Sequence, residues 1–364
     1  MADGQDILSL LSLRLIPGVG SVSLARLLAA FGSAKAALGA PLADLRRVPG
    51  LREDVIQAVH GRACSADPER ELERLAAMGA KVAALGGADY PPLLAEIYAP
   101  PPLIFVRGDL GPSRAGGVAI VGSRRMSPYG RKVAEDLARD LALAGVSVIS
   151  GLARGVDAAA HAGALAAGGH TVGVLGCGLD VAYPPEHLEL AARMAGQGAV
   201  ISEFPLGTPP AAGNFPVRNR IISGLSRAVV VVEASLKSGS LITARHALDQ
   251  GREVFAVPGP VTSAQSQGCH ELLRDGARLL SSARDLLAPG SLPPAAAAPG
   301  RPRPADDLPD QARRLWDLLS EQPAHVDELA RAAGLQAQEV TALLVLLEMN
   351  GLAAQQPGKN YVRA

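Results

Sequence analysis

Apolar, β-branched runs recur at Val118–Val121, Val146–Ser150, Thr171–Leu175, Val200–Glu203, Ala228–Glu233 and Val254–Val257, and Ala/Leu-rich stretches with helical spacing separate them. Strands alternating with helices in this way predict βαβ units and a parallel sheet covered on both faces. Residues 1–84 read differently. Short apolar segments at helical spacing are broken by Gly and Pro turn signals, which predicts a small helical domain. Residues 85–290 then form the α/β domain, and the Pro/Ala-rich stretch 291–307 is expected to be a semi-extended linker without a core. The last segment, 308–364, has helical periodicity through Trp316, over Val326–Gly334 and over Gln336–Glu348, then a β-like end at Tyr361-Val362.

Composition adds limits. With 48% apolar, 19% charged and 3% aromatic residues, the core must be built mainly from Ala, Val and Leu. Basic and acidic residues number 35 each, so the net charge pulls no polyanion toward the chain as a whole. The final segment has 5 basic and 7 acidic residues, the weakest balance for holding phosphates. Any nucleic-acid contact must therefore come from local clustering. Thirty of the basic residues are Arg, the side chain suited to bidentate phosphate contacts. The cysteines, Cys64, Cys177 and Cys269, lack the pairing of a disulfide framework or a zinc site. The start MADGQD lacks a signal-peptide layout, and the longest uncharged run, Ala158–Leu179, contains six glycines. A cytoplasmic protein without a membrane span is the expectation, with no metal and no cofactor.

Candidate chemistry lies at the turns. In the first segment, Pro17-Gly18-Val19-Gly20 joins two helical stretches, as in a helix-hairpin-helix or SAM-like domain. A Gly-hydrophobe-Gly turn can open a helix N-terminus toward a phosphate, so Gly18 and Gly20 are candidates for a DNA contact. A purely packing role fits the same residues. After the first strand, Gly122-Ser123-Arg124-Arg125 replaces the GxGxxG of a dinucleotide site and offers an anion site at the carboxyl edge of the sheet. The next turn holds Arg154, then Asp157 and His161 one helical turn apart. That spacing invites a catalytic reading with Ser150 as nucleophile, but a capping Asp and a buried, satisfied His are the favoured explanation. Further on, Phe215 precedes Arg218-Asn219-Arg220 at a helix start and could stack on a base, though a core Phe fits too. Lys237-Ser238-Gly239-Ser240 opens another helix without P-loop spacing.

The ordered motifs VAIVGSRRMSPYG, SGLARGVDAAAHAGAL, TVGVLGCGLDVAYPPEH, ISEFPLGTPP, FPVRNRIISGLS, SGSLITARHALDQGREVFAVPG and QGCHELLRDGA resemble the DNA-processing protein A (DprA, or Smf) family. The resemblance implies an extended Rossmann-like domain that binds single-stranded DNA and associates with itself. It also implies protection of incoming DNA and loading of the RecA-type recombinase in natural transformation, without catalysis. Carried onto this chain, it makes Arg124 a phosphate holder, with Arg218-Asn219-Arg220 and Ser238-Gly239-Ser240 as pocket walls. One departure stands out: where the family often has a lysine before the Phe, this chain has Ala211-Ala212-Gly213-Asn214. Either Lys237 or Arg154 compensates, or affinity is lower.

Residues 308–364 resemble a winged helix. The second helix of its helix-turn-helix, Gln336–Glu348, carries Glu339 and Glu348 and no Lys or Arg, which favours a protein contact over groove reading. The competing reading is a nucleotide-binding or nucleotide-hydrolysing protein of the wider Rossmann-like group. That reading needs a carboxylate near the ribose, where Arg245 and His246 stand. A nuclease would need clustered carboxylates, but Asp157, Asp180, Glu186, Glu203 and Glu233 are spread over separate turns.

Overall fold

The computed structural model describes residues 7–287, 309–320, 324–349, 352–356 and 358–363, so the expected linker at 291–307 lies outside the described residues. The chain divides into two compact units, one ending and the other beginning in that stretch.

In the first unit a nine-stranded sheet forms from β1 (Ala80–Ala84), β2 (Leu103–Gly108), β3 (Gly117–Gly122), β4 (Val148–Ser150), β5 (Thr171–Val174), β6 (Ala199–Ser202), β7 (Ser226–Val232), β8 (Glu253–Ala256) and β9 (Arg278–Leu279). Their order is β1-β2-β6-β5-β4-β3-β7-β8-β9. The six apolar runs are β3 to β8, all joined in parallel where they neighbour one another. Burial on both faces explains their unbroken apolar character: Val118, Ile120, Val229, Val230 and Val231 are fully buried. From β3 the chain winds outward to β4, β5 and β6, then returns to β7 on the other side of β3. The order therefore reverses between β3 and β7, which opens a crevice at their carboxyl ends.

The sheet extends beyond the six expected strands. β1 and β2 pair antiparallel with each other, and β2 pairs antiparallel with β6. The expected boundary at residue 84 thus coincides with the last residue of a strand in this sheet. Helices Ile7–Arg14, Ser21–Phe31 and Pro68–Ala77 share a core with the sheet, in which Leu10, Leu24, Leu27 and Leu75 lie with Phe105 and Leu175. No described helix is long and apolar enough to cross a membrane.

The second unit has helices Asp310–Leu318, Val326–Ala333 and Ala337–Met349 and a three-stranded sheet of Ala324–His325, Ala353–Gln356 and Asn360–Arg363, the last strand in the middle. Leu315, Leu329, Val340, Leu344 and Tyr361 form its own core. This is a winged helix. Both acids of the third helix serve local structure: Glu339 accepts from the Gln336 N–H at 3.0 Å and Glu348 from the Gln355 N–H at 3.2 Å.

Candidate nucleic-acid interface

The carboxyl ends of β3 and β7 open into a groove of about 820 Å³. Its walls include Gly122, Ser123, Arg124, Arg125, Phe215, Arg218, Asn219, Ser238, Gly239 and Ser240. Residues from three separate motifs therefore meet at one place. The turn after β3 is held by Glu233 at the end of β7. The Glu233 carbonyl accepts from the Ser123 N–H at 2.7 Å, and its carboxylate accepts from the Ser127 N–H at 2.8 Å and from the Ser127 hydroxyl. Ser127 in turn caps helix Pro128–Leu143 through the Gly130 N–H. With its root fixed this way, Arg124 projects into solvent, and its guanidinium lies 5.4 Å from the centre of the Phe215 ring. That contact is a cation–π pair. Tyr183 joins the same cluster, its ring centroid 5.5 Å from that of Phe215. Helices Asn214–Gly224 and Ser240–Asp249 begin at the groove, so their N-terminal dipoles add to the favourable field for an anion.

Arg218 lines the groove but is 4% exposed. Its guanidinium donates to the Val174 carbonyl at 2.6 Å and sits beside the Asp157 carboxylate. A side chain on Gly151 would collide with both groups, so glycine there makes room for the pair. Burial lowers the Arg218 pKa to about 10, with Asp157 opposing the shift. Burial raises that of Asp157 against the pull of Arg218. The carboxylate of Asp157 does not cap its own helix. It accepts instead from the Gly151 and Ala153 N–H groups at 3.1 and 3.4 Å, tying down the turn after β4.

Arg220 points elsewhere. Its guanidinium, 12% exposed, forms a bidentate pair with the buried Glu203 at 3.0 and 2.8 Å. The same carboxylate accepts from the Ser21 hydroxyl at 2.6 Å, and the Glu203 carbonyl accepts from Arg14. Ser21 is the first residue of the helix that follows Gly18 and Gly20, so the anion beside this helix start is a carboxylate of the protein itself. Gly18 turns the chain with φ +84°, and Val19 is buried in the core below it. Arg154 forms an exposed pair with Glu186 and lines a narrow cleft beside the groove, together with Arg124, Tyr183 and Phe215. Lys237 is exposed on the turn before Ser238.

Ser150 and His161 are both engaged in the core. The Ser150 hydroxyl donates to the Ile120 carbonyl at 2.6 Å. Thr171 gives its hydroxyl hydrogen to Val148, so the contact of 2.7 Å from His161 Nδ1 makes the imidazole the donor. Burial, with smaller contributions from His187 and Arg218, lowers the His161 pKa to about 3. The unfolded imidazole titrates near ~6.5 and takes up its proton first. Stability from this group is therefore complete above about pH 6.5 and declines by about 1.4 kcal/mol per pH unit as pH falls toward 3. Urea midpoints of wild type and His161→Leu at pH 7 and pH 5 test this. The variant should show the shallower acid decline, and parallel declines would refute the assignment.

The five dispersed carboxylates all have protein partners. Asp157 and Glu203 are described above, Glu233 holds Ser127, Asp180 pairs with Arg74, and Glu186 pairs with Arg154. Among the described residues no cluster of His, Cys, Asp and Glu is suited to a metal ion. Two contributors were missing from the sequence reading. Tyr183 was hidden in a Tyr-Pro-Pro loop, and its rarity in a chain with five tyrosines was the available signal. Glu233 reads in the sequence only as a lone acid at a strand end.

Two family models match this chain, DNA recombination-mediator protein A over residues 81–289 and the DprA winged helix domain over residues 299–359. Protein Smf from Synechocystis is 34% identical, with 96% of each chain covered. The X-ray structure of DNA processing protein A from Streptococcus pneumoniae superposes with a TM-score of 0.68 at 35% identity, over 79% of this chain and 99% of that one. DNA processing protein A from Helicobacter pylori, whose structure was reported for its unique single-stranded DNA binding mode, gives a TM-score of 0.52 at 32% identity, over 57% and 94%. A match across the parallel sheet, a second across the winged helix and similarity along nearly the whole length lead to one conclusion: the chain belongs to the DNA recombination-mediator protein A family.

Proposed function

We propose that this protein binds single-stranded DNA in the groove at the ends of β3 and β7 and acts as a recombination mediator. On this reading it protects incoming DNA and passes it to a RecA-type recombinase in natural transformation. Self-association through the α/β part, a cytoplasmic location and the absence of catalysis belong to the same proposal. The observation that carries it is the Arg124–Phe215 pair at the sheet's switch point. An exposed guanidinium and an aromatic ring occur there within one open groove, flanked by two helix starts. Arg124 and Arg125 supply exposed charge, whereas Arg218 and Arg220 brace the walls through Asp157 and Glu203.

Hydrolysis of a nucleotide is the weaker reading, because Asp157 is the one carboxylate among the described residues that line the groove, and it is already engaged. The winged helix, with acids on its third helix, is assigned a protein contact. Gel-shift competition between oligo-dT and a duplex of equal length tests the proposal. Single strands should win, since paired bases cannot reach the Phe215 ring; equal or better competition by duplex would contradict it.

A further inference from the structure

The turn after β4 reads Gly151-Leu152-Ala153-Arg154-Gly155, and Leu152 adopts φ +53° in it, a strained conformation that persists only where the surroundings enforce it. Here they do. Leu152 is buried, Asp157 accepts from the Gly151 and Ala153 N–H groups on either side, and His187 Nδ1 donates to the Leu152 carbonyl at 3.0 Å. The root of Arg154 is therefore fixed, which leaves its side chain as the moving part. That side chain is 57% exposed and pairs through Nε and Nη2 with the two carboxylate oxygens of Glu186, itself 48% exposed. Glu186 and His187 are neighbours in the short helix Pro185–His187, so one segment holds both the backbone and the guanidinium of the Arg154 turn.

Ala153 lines the groove, whereas Arg154, the next residue, lines only the narrow cleft beside it. The three arginines of that cleft are held in different ways. Arg218 is buried beside Asp157, Arg124 lies over the Phe215 ring, and Arg154 has a carboxylate that faces water. Solvent screens an exposed pair, so it is weak. A phosphate offers the same two-point acceptor as a carboxylate and can replace it on a guanidinium. The geometry points to a latch: Glu186 occupies Arg154 in the free protein and yields it to a backbone phosphate when a strand fills the groove. This inference rests on the single-stranded DNA reading above, and makes Arg154 a further phosphate-binding residue whose charge is withheld until DNA is present. It also has a signature in salt. The cation that DNA releases at Arg154 is offset by a cation drawn to the freed Glu186, so the contact adds little to the salt slope of wild type.

The test measures oligo-dT affinity across a range of salt for full-length wild type, Glu186→Gln, Arg154→Ala, the double variant and Glu189→Gln. Glu189 is an exposed acid on the following helix and reports the loss of one negative charge nearby. Glu186→Gln should bind about threefold more tightly, the scale set by an exposed pair. Its log–log salt slope should steepen by up to about 0.7. Glu189→Gln should stay near wild type. The double variant should bind no more tightly than Arg154→Ala, because no guanidinium remains to be freed. Unchanged affinity in Glu186→Gln would overturn the latch. So would a gain that Glu189→Gln matches or that survives in the Arg154→Ala background, since either reduces it to bulk charge. If wild type itself binds no oligo-dT, the single-stranded DNA reading fails and the latch falls with it.

Discussion

Arg218→Ala is expected to lower stability by about 3–5 kcal/mol, the order of cost of leaving a buried charge without the opposite charge near it. The side chain is 4% exposed, and without it the Asp157 carboxylate stays buried with only N–H donors for company. The sign of the pH effect follows. Burial already raises the Asp157 pKa, and loss of Arg218 raises it further. The variant's deficit should therefore narrow as pH is lowered and the carboxyl becomes neutral. The double variant Asp157→Asn/Arg218→Met should be less destabilised than the sum of its single changes, because no charge is left stranded. Chemical denaturation of wild type, Arg218→Ala, the two single changes and the double variant at pH 7 and pH 5 checks this. Additive losses independent of pH would mean that Arg218 acts through packing and its bond to Val174.

Phe215→Ala should cost about 1–3 kcal/mol of oligo-dT binding, the range for removing one aromatic platform from a single-strand site. That corresponds to roughly 5- to 150-fold in Kd. Phe215 is partly exposed, so stability should change less than affinity. Phe215→Tyr keeps the stacking surface and should recover most of the binding. Equal weakening in both variants would remove the stacking role and leave the ring as a prop for Arg124.

The parallel sheet was legible because β3 to β8 are buried on both faces, which forces unbroken β-branched runs such as Val229–Val232. The outer strands gave weaker signals. β1, with sequence AKVAA, has little β-branching and directly follows a helix, while β9 has two residues. The groove was partly legible for a similar physical reason. Turns after parallel strands face the same edge, so Arg124 and Ser238-Gly239-Ser240 could be brought together from sequence order. Arginines at a helix start look alike in sequence whether they face a ligand or a carboxylate. The difference for Arg218 and Arg220 is set by Asp157 and Glu203, which arrive from other turns of the fold.

The groove reading is tested most directly by the salt dependence of oligo-dT affinity for wild type, Arg124→Ala and Arg284→Ala. Arg284 is exposed and lies outside the groove, so it reports bulk charge alone. A single-stranded site releases counterions with a slope of about −0.7 per neutralised phosphate in a log–log plot. Arg124→Ala should weaken binding and flatten that slope by about 0.7, with an unchanged melting curve, while Arg284→Ala should leave both affinity and slope near wild type. Equal changes in the two variants would contradict a phosphate site at Arg124.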